Sequence, residues 1–246
     1  MLIGCAVFRE VLSRAPEVKG CKLHIMDYGL HLTPRKMRSA IQEPIDALAV
    51  PHLVLIGFGL CGNGLVGLQS GIHTLVIPRV DDCIALFLGS RAARLRECAA
   101  NPATYYLTPG WLECGGEPWS EHRNLCAAYG AEKADRISWA MYKNYRRLCF
   151  LAFTAEELER CRPRALQVAE FCRERFGMEY EERIGSDALM RRLLAFGGAG
   201  TELREADPAG EFVIVPPGSE VVPEPFMRNQ EPVQEEINPC TTCTTK

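Results

Sequence analysis

Apolar residues come along this chain in short uninterrupted blocks, separated by longer stretches in which they recur every three or four positions. The blocks are strand-sized: 2–8 (LIGCAVF), 23–27 (LHIMD), 52–58 (HLVLIGF), 73–78 (HTLVIP), 104–107 (TYYL), 148–153 (LCFLAF) and 212–215 (FVIV). In the intervening stretches Ile84, Phe87, Leu88, Leu95 and Cys98 share one face of a helix over 83–98. Ile137, Ala140, Met141, Tyr145 and Leu148 do so over 135–149, and Leu158, Cys161, Ala165, Val168 and Cys172 over 155–174. Strands that are apolar throughout are buried on both faces, and their alternation with helices builds a parallel sheet. The pattern therefore predicts a Rossmann-like α/β fold, an open, mostly parallel sheet with helices on both faces, spanning 1–215. A break near 109–120 (PGWLECGGEPWS) either separates two lobes or is a long loop within one. From 216 onward the chain is rich in Pro, Glu and Thr without periodicity, which predicts a flexible, disordered tail over 216–246.

Charge narrows the choice of partner. The formal net charge of −3 arises from intermingled acids and bases, so no basic face points to nucleic acid. The apolar runs fall well short of the roughly 20 residues that span a bilayer, and MLIGCAVFRE carries no basic region ahead of its apolar run. A cytoplasmic protein with a small-molecule, metal or protein partner is expected, with no nucleic acid and no membrane. GxSxG, HExxH and GxxxxGK[ST] patterns do not occur, which removes hydrolase, zincin and P-loop readings.

The twelve cysteines change the picture most. Without a secretory leader they are expected as thiols, either packed as small hydrophobes or used for metal binding and thiolate chemistry. Cys98, Cys161 and Cys172 lie on the helical apolar stripes and Cys149 within a strand, so packing accounts for them; nothing singles out Cys21 or Cys126. Cys5, Cys61 and Cys83 each come at or just past the carboxyl end of a strand. Parallel strands gather those ends on one edge, where open sheets place their ligands. Three thiolates meeting there would hold zinc or an iron–sulfur cluster with one position open for chemistry. His31, in the loop after the second strand, is the candidate fourth ligand, and Cys114 its alternate. Near Cys83, Asp81 or Asp82 is placed to cap a helix, and Arg79 adds positive charge.

A second reading competes for the same region. In GFGLCGNG, Gly57, Gly59 and Gly62 fit GxGxxG, with Gly64 beyond them and Asp81 and Asp82 about twenty residues on, the dinucleotide spacing. This predicts a non-catalytic nucleotide- or corrinoid-binding module. Against it, only ten residues separate Gly62 from the strand at 73, little room for the helix a pyrophosphate needs. Trp111 is expected to wall a pocket near this edge, and Glu113 to supply acid or base chemistry. The CTTC stretch, Cys240 to Cys243, has the spacing of a metal knuckle or redox pair, but a single CxxC specifies neither.

Taken in order, LIGC, LHLTP, GFGLCGNG, IPRVDDCIALFLGS and YYLTPGW resemble a family of domains of unknown function numbered 1638, over about residues 1–195. The matching motif positions are Cys5, His31, Pro34, Cys61, Gly62, Gly64, Pro78, Arg79, Asp82, Cys83, Gly89, Ser90, Gly110 and Trp111. The resemblance implies an anaerobe or methanogen setting and an association with corrinoid-dependent methyltransferase systems, so a corrinoid protein or methyltransferase is an expected partner. A zinc centre would then activate a thiol for methyl transfer, and a cluster would serve electron transfer beside corrinoid enzymes.

Overall fold

The structure, a computed structural model, describes residues 1–18, 20–32, 34–198, 203 and 205–227. Its strands are β1 (Leu2–Cys5), β2 (Leu23–Met26), β3 (Leu53–Gly57), β4 (Thr74–Pro78), β5 (Thr104–Leu107), β6 (Arg147–Ala152), β7 (Glu179–Ile184) and β8 (Phe212–Val215). All but β7 coincide with the apolar blocks. β7 reads EYEERI and hides no apolar run; two of its three carboxylates are matched by arginines instead, Glu181 by Arg147 at 2.5 Å and Glu182 by Arg162 at 2.7 Å.

The helices are α1 (Arg9–Arg14), α2 (Pro34–Asp46), α3 (Ile84–Leu88), α4 (Arg91–Ala100), α5 (Pro109–Cys114), α6 (Pro118–Tyr129), α7 (Ala131–Tyr142), α8 (Ala155–Phe176), α9 (Ala188–Ala195) and α10 (Glu224–Met227). The helix expected over 83–98 is two, divided at Gly89, whose φ of 82° ends α3. Ser90 then starts α4 by accepting the Ala93 N–H. The stretch 109–120 is mostly helical. Thr108 and Glu117 cap two successive helices, each with proline in its first turn, where the missing N–H costs nothing.

The architecture is α/β, but the single open sheet is not what forms. Five strands run in the order β2-β1-β3-β4-β8, parallel except for the antiparallel β8, and three parallel strands form a second sheet, β5-β6-β7. The physical reason is occupancy of an edge: β8 pairs with β4 from Leu75↔Val215 to Pro78↔Phe212, so β5 has no edge there to join. The two sheets still share apolar contacts. Phe8, just beyond β1, Phe87 of α3 and Phe153, just beyond β6, stack with neighbouring centroids 4.7 Å apart. Tyr106, Cys149 and Leu151 of the second sheet belong to the same buried cluster as the first.

Part of the stretch expected as tail, 218–226, is held against the fold. Gly67 donates to the Val221 carbonyl, Val221 returns a bond to Leu68, and Ser70 donates to Ser219, so 218–221 run along the chain just after the glycine loop. Val221 and Phe226 are buried in the main core. Residues 228–246, with the CTTC stretch, lie outside the described residues. No described helix is long and apolar enough to cross a membrane.

Candidate dithiol site

The site grows out of two neighbouring strands. β3 and β4 are parallel partners, and the chains leaving their carboxyl ends stay side by side: Leu60 N–H donates to the Val80 carbonyl and Cys61 N–H to that of Asp81, both at 2.9 Å. Close approach is possible because position 59 has no side chain; a Cβ there would lie 2.5 Å from the Asp82 carbonyl carbon. Beyond it Cys61, Gly62 and Asn63 all take left-handed backbone angles, φ 46°, 66° and 64°. For Cys61 that conformation costs about 1–2 kcal/mol. The turn closes when Gly64 N–H bonds back to Leu60, with Met37 of α2 packed where a side chain at 64 would go.

The product of this strained turn is a pair of sulfurs. Cys61 Sγ lies 3.3 Å from Cys83 Sγ. Cys61 is half-buried beside the exposed Gly62 and Asn63, whereas Cys83 is only 3% exposed. The Cys83 side is braced: Asp82 Oδ1 accepts the N–H groups of Ile84 and Ala85, and Arg94 grips both carboxylate oxygens of Asp82 at 2.9–3.2 Å. Arg91 pairs with Asp81 at 3.6 Å.

One expectation is corrected here. Among the described residues no group of three His, Cys, Asp or Glu side chains is placed to hold a metal ion. The three-cysteine zinc or iron–sulfur centre of Cys5, Cys61 and Cys83 is therefore not formed; the triad is a pair. Cys5 is fully buried at the end of β1, which runs into the buried 3₁₀ turn Ala6–Phe8 and is roofed by α5, Gly110 resting on the Val7 backbone. His31 falls in the 3₁₀ turn Tyr28–Leu32, its side chain outside the described residues. Cys114 ends α5 with its thiol pushed up by burial and by Asp27 and Glu113, the opposite of a poised ligand.

The dinucleotide fingerprint is present in part, without its helix. The N–H groups of Leu60, Cys61, Gly64, Val66 and Gly67 all bond to the protein's own carbonyls, and no helix follows the loop before β4. The dinucleotide fingerprint sets its pyrophosphate on a helix start. Gly59 and Gly64 admit protein neighbours, and Asp82 is engaged by Arg94. Arg79 donates to the Gly210 carbonyl while its backbone N–H donates to the Glu211 carbonyl, which ties down the chain entering β8; its Nε is buried with no partner among the described residues. Trp111 packs against both hydrophobic cores as a bridge between them. Glu113 lies 3.9 Å from Arg160 at the surface.

The pairing of Cys61 with Cys83 was readable from their places after adjacent parallel strands. The cluster of buried Glu97 with Arg147 and Arg183 was missed, since each charge looks solvated until α4, β6 and β7 bring them together.

A family model described as a protein of unknown function (DUF1638) matches residues 25–194. Cys61 and Cys83 fall inside that span and Cys5 before it. No curated protein and no solved structure matches the chain.

Proposed function

The chain belongs to the DUF1638 family, and from that premise we propose that it is a thiol–disulfide redox protein whose working group is the Cys61–Cys83 pair. The observation that carries this reading is the 3.3 Å separation of two sulfurs brought together from 22 positions apart. A disulfide requires them to close by about 1.3 Å, a movement within reach of one turn of chain.

The difference in exposure assigns the roles. Cys61, reachable from solvent, attacks one sulfur of a disulfide R–S–S–R as thiolate, forming a Cys61–S–S–R bond and releasing RS⁻. Cys83, already in contact, attacks Cys61 Sγ as thiolate, closes the Cys61–Cys83 bond and releases the second RS⁻. The two thiol protons end on the released thiols. Two electrons have passed from the protein dithiol to the substrate disulfide, and the reverse sequence oxidises thiols.

Supporting a corrinoid protein or methyltransferase as partner is the family resemblance alone. That partner is tested by whether Cys83→Ser, which leaves a mixed disulfide on Cys61 unresolved, traps it in native extract.

The function is tested by titrating anaerobically reduced protein with glutathione disulfide and mapping the products by peptide mass spectrometry. Loss of two thiols, a Cys61–Cys83 peptide, and its disappearance in Cys61→Ser and Cys83→Ser are expected. Both cysteines remaining reduced up to the potential of protein disulfide isomerase, about −180 mV, would end the proposal.

A further inference from the structure

The helical hairpin of α6 and α7 carries another thiol, and that thiol sits beside a base. Gly130, with φ 80°, is the single residue between the two helices; its N–H closes α6 on the Cys126 carbonyl, and its own carbonyl opens α7 by accepting the Ala134 N–H. Helices folded back around one residue set positions equally far from it against each other, and His122 and Ser138 each stand eight positions from Gly130. His122 Nδ1 meets Ser138 Oγ at 3.0 Å, and the two residues are buried, 6% and 1% exposed. Four residues after His122, on the same face of α6, comes the half-buried Cys126, its Sγ 3.3 Å from His122 Nε2. A nucleophile, a base and a group that orients the base are thus in line, the arrangement by which a weak nucleophile is activated.

The charged groups facing the ring come from the two helices packed against α6. Asp135 of α7 lies 3.4 Å from Nε2, Arg175 of α8 holds Asp135, and Phe171 of α8 packs on the ring with centroids 5.2 Å apart. Burial lowers the imidazole pKa most, Arg175 lowers it further, and Asp135 only partly opposes them, so the resting ring is neutral and free to take a proton. In the tautomer that serves this role, Nδ1–H donates to Ser138 Oγ and the Nε2 lone pair faces the thiol.

We infer that Cys126 and His122 form a second reactive centre, independent of the Cys61–Cys83 pair, whose substrate is a small hydroperoxide R–O–O–H, R being hydrogen or a short alkyl chain. The leaving group decides the class. In disulfide exchange the sulfur leaves as thiolate and needs no proton. The hydroxide or alkoxide released from an O–O bond is far too basic to leave bare, water having a pKa of about 15.7. A proton-carrying nitrogen 3.3 Å from the sulfur serves the second reaction. A compact electrophile also suits a sulfur only half open to solvent. The thiol proton passes to Nε2 as Sγ attacks the terminal oxygen; the S–O bond forms, the O–O bond breaks, and Nε2 returns the proton to the departing RO⁻. The products are Cys126–S–OH and ROH: the sulfur is oxidised by two electrons, the peroxide is reduced by two, and His122 ends as it began. A small thiol R′SH then condenses with the sulfenic acid, giving Cys126–S–S–R′ and water.

The test uses the full chain, with hydrogen peroxide as the probe. Reduced protein is exposed to peroxide in the presence of dimedone, which caps sulfenic acids, and the capped Cys126 peptide is quantified by mass spectrometry in folded protein and in protein unfolded in urea. Folded Cys126 is expected to react about tenfold faster than unfolded or more, despite its partial burial, at a rate nearly level from about pH 7 to 8 because the imidazole takes the proton. His122→Gln is expected to lose about tenfold or more at neutral pH and to recover rate as pH rises, since hydroxide must then remove the proton. Cys126 reacting no faster in the folded chain than in the unfolded one overturns the inference, as does a rate and pH profile of His122→Gln that match wild type. Should that variant fold poorly, the comparison of folded with unfolded wild type decides the matter alone.

Discussion

Gly59 rests directly on the backbone of Asp82: a Cβ at position 59 would stand 2.5 Å from the Asp82 carbonyl carbon and 2.8 Å from its oxygen. Backbone cannot step aside as a long side chain can, so the contact fixes how closely the two post-strand segments run. Gly59→Ala is expected to push them apart, to cost about 1–3 kcal/mol as an overpacked site, and to lower the yield of the Cys61–Cys83 disulfide well below wild type. Denaturant midpoints together with peptide mapping under the same oxidant check both effects. Normal disulfide yield in a destabilised variant would show that the close approach serves stability only.

Asp82 and Arg94 test the bracing on the other side. The carboxylate holds two N–H groups of the turn entering α3 and is itself held by the Arg94 guanidinium. Asp82→Ala loses a cap worth about 0.5–2 kcal/mol. Arg94→Ala is expected to cost less, because the ion pair is partly open to solvent and screened. Both variants should slow closure of the Cys61–Cys83 bond, Asp82→Ala the more. Stopped-flow thiol oxidation reads the order, and equal rates in all three proteins would remove Asp82 from any role in positioning Cys83.

Oxidation should also stiffen the molecule measurably. A bond joining residues 61 and 83 closes a loop of modest length, and the chain-entropy model assigns such a crosslink about 3 kcal/mol of stability. Urea unfolding of the oxidised protein is expected at a higher midpoint than that of the reduced protein, with the difference absent in Cys61→Ser. A lower midpoint on oxidation would mean that the turn must be distorted to bring the sulfurs into bonding distance.

Much of this arrangement was legible in the residues. Runs such as LVLIG and TLVIP could only be buried strands, and their order put Cys61 and Cys83 past neighbouring carboxyl ends. What the local pattern could not carry was long-range. Nothing in FVIV announces that it will close the edge of β4 from more than 130 positions away and so divide the sheet in two. Cys5 looked equivalent to the other two because it, too, ends a strand. It differs in its tertiary surroundings: β1 runs into a turn that α5 covers, a packing event encoded partly by Gly110, which leaves room for the Val7 backbone. The glycine loop matched a phosphate fingerprint because phosphate and backbone impose the same demand, an approach closer than any Cβ allows. The missing helix between the loop and β4 tells them apart. β7 was illegible because its pairing rests on ion pairs instead of apolar surface.

Those ion pairs give the second sheet a defined response to acid. Glu97, 7% exposed, accepts from both Arg147 and Arg183. Burial by itself would raise its carboxyl, but the two guanidinium groups outweigh burial and hold it below its ordinary value. A carboxylate lowered on folding contributes stability that is fully present above its unfolded pKa, about 4.3, and is lost as pH falls through its folded value. The wild type is therefore expected to lose stability below about pH 5 in part through this group. Glu97→Gln should be less stable at neutral pH by about 2 kcal/mol, since the neutral amide leaves two arginines short of charge compensation. Its deficit should shrink steadily as the pH is lowered, as the wild-type carboxylate becomes protonated. Urea midpoints for both proteins across that range provide the measurement. A deficit that stays constant with pH would show that Glu97 acts by shape and hydrogen bonding, with its charge making no net contribution.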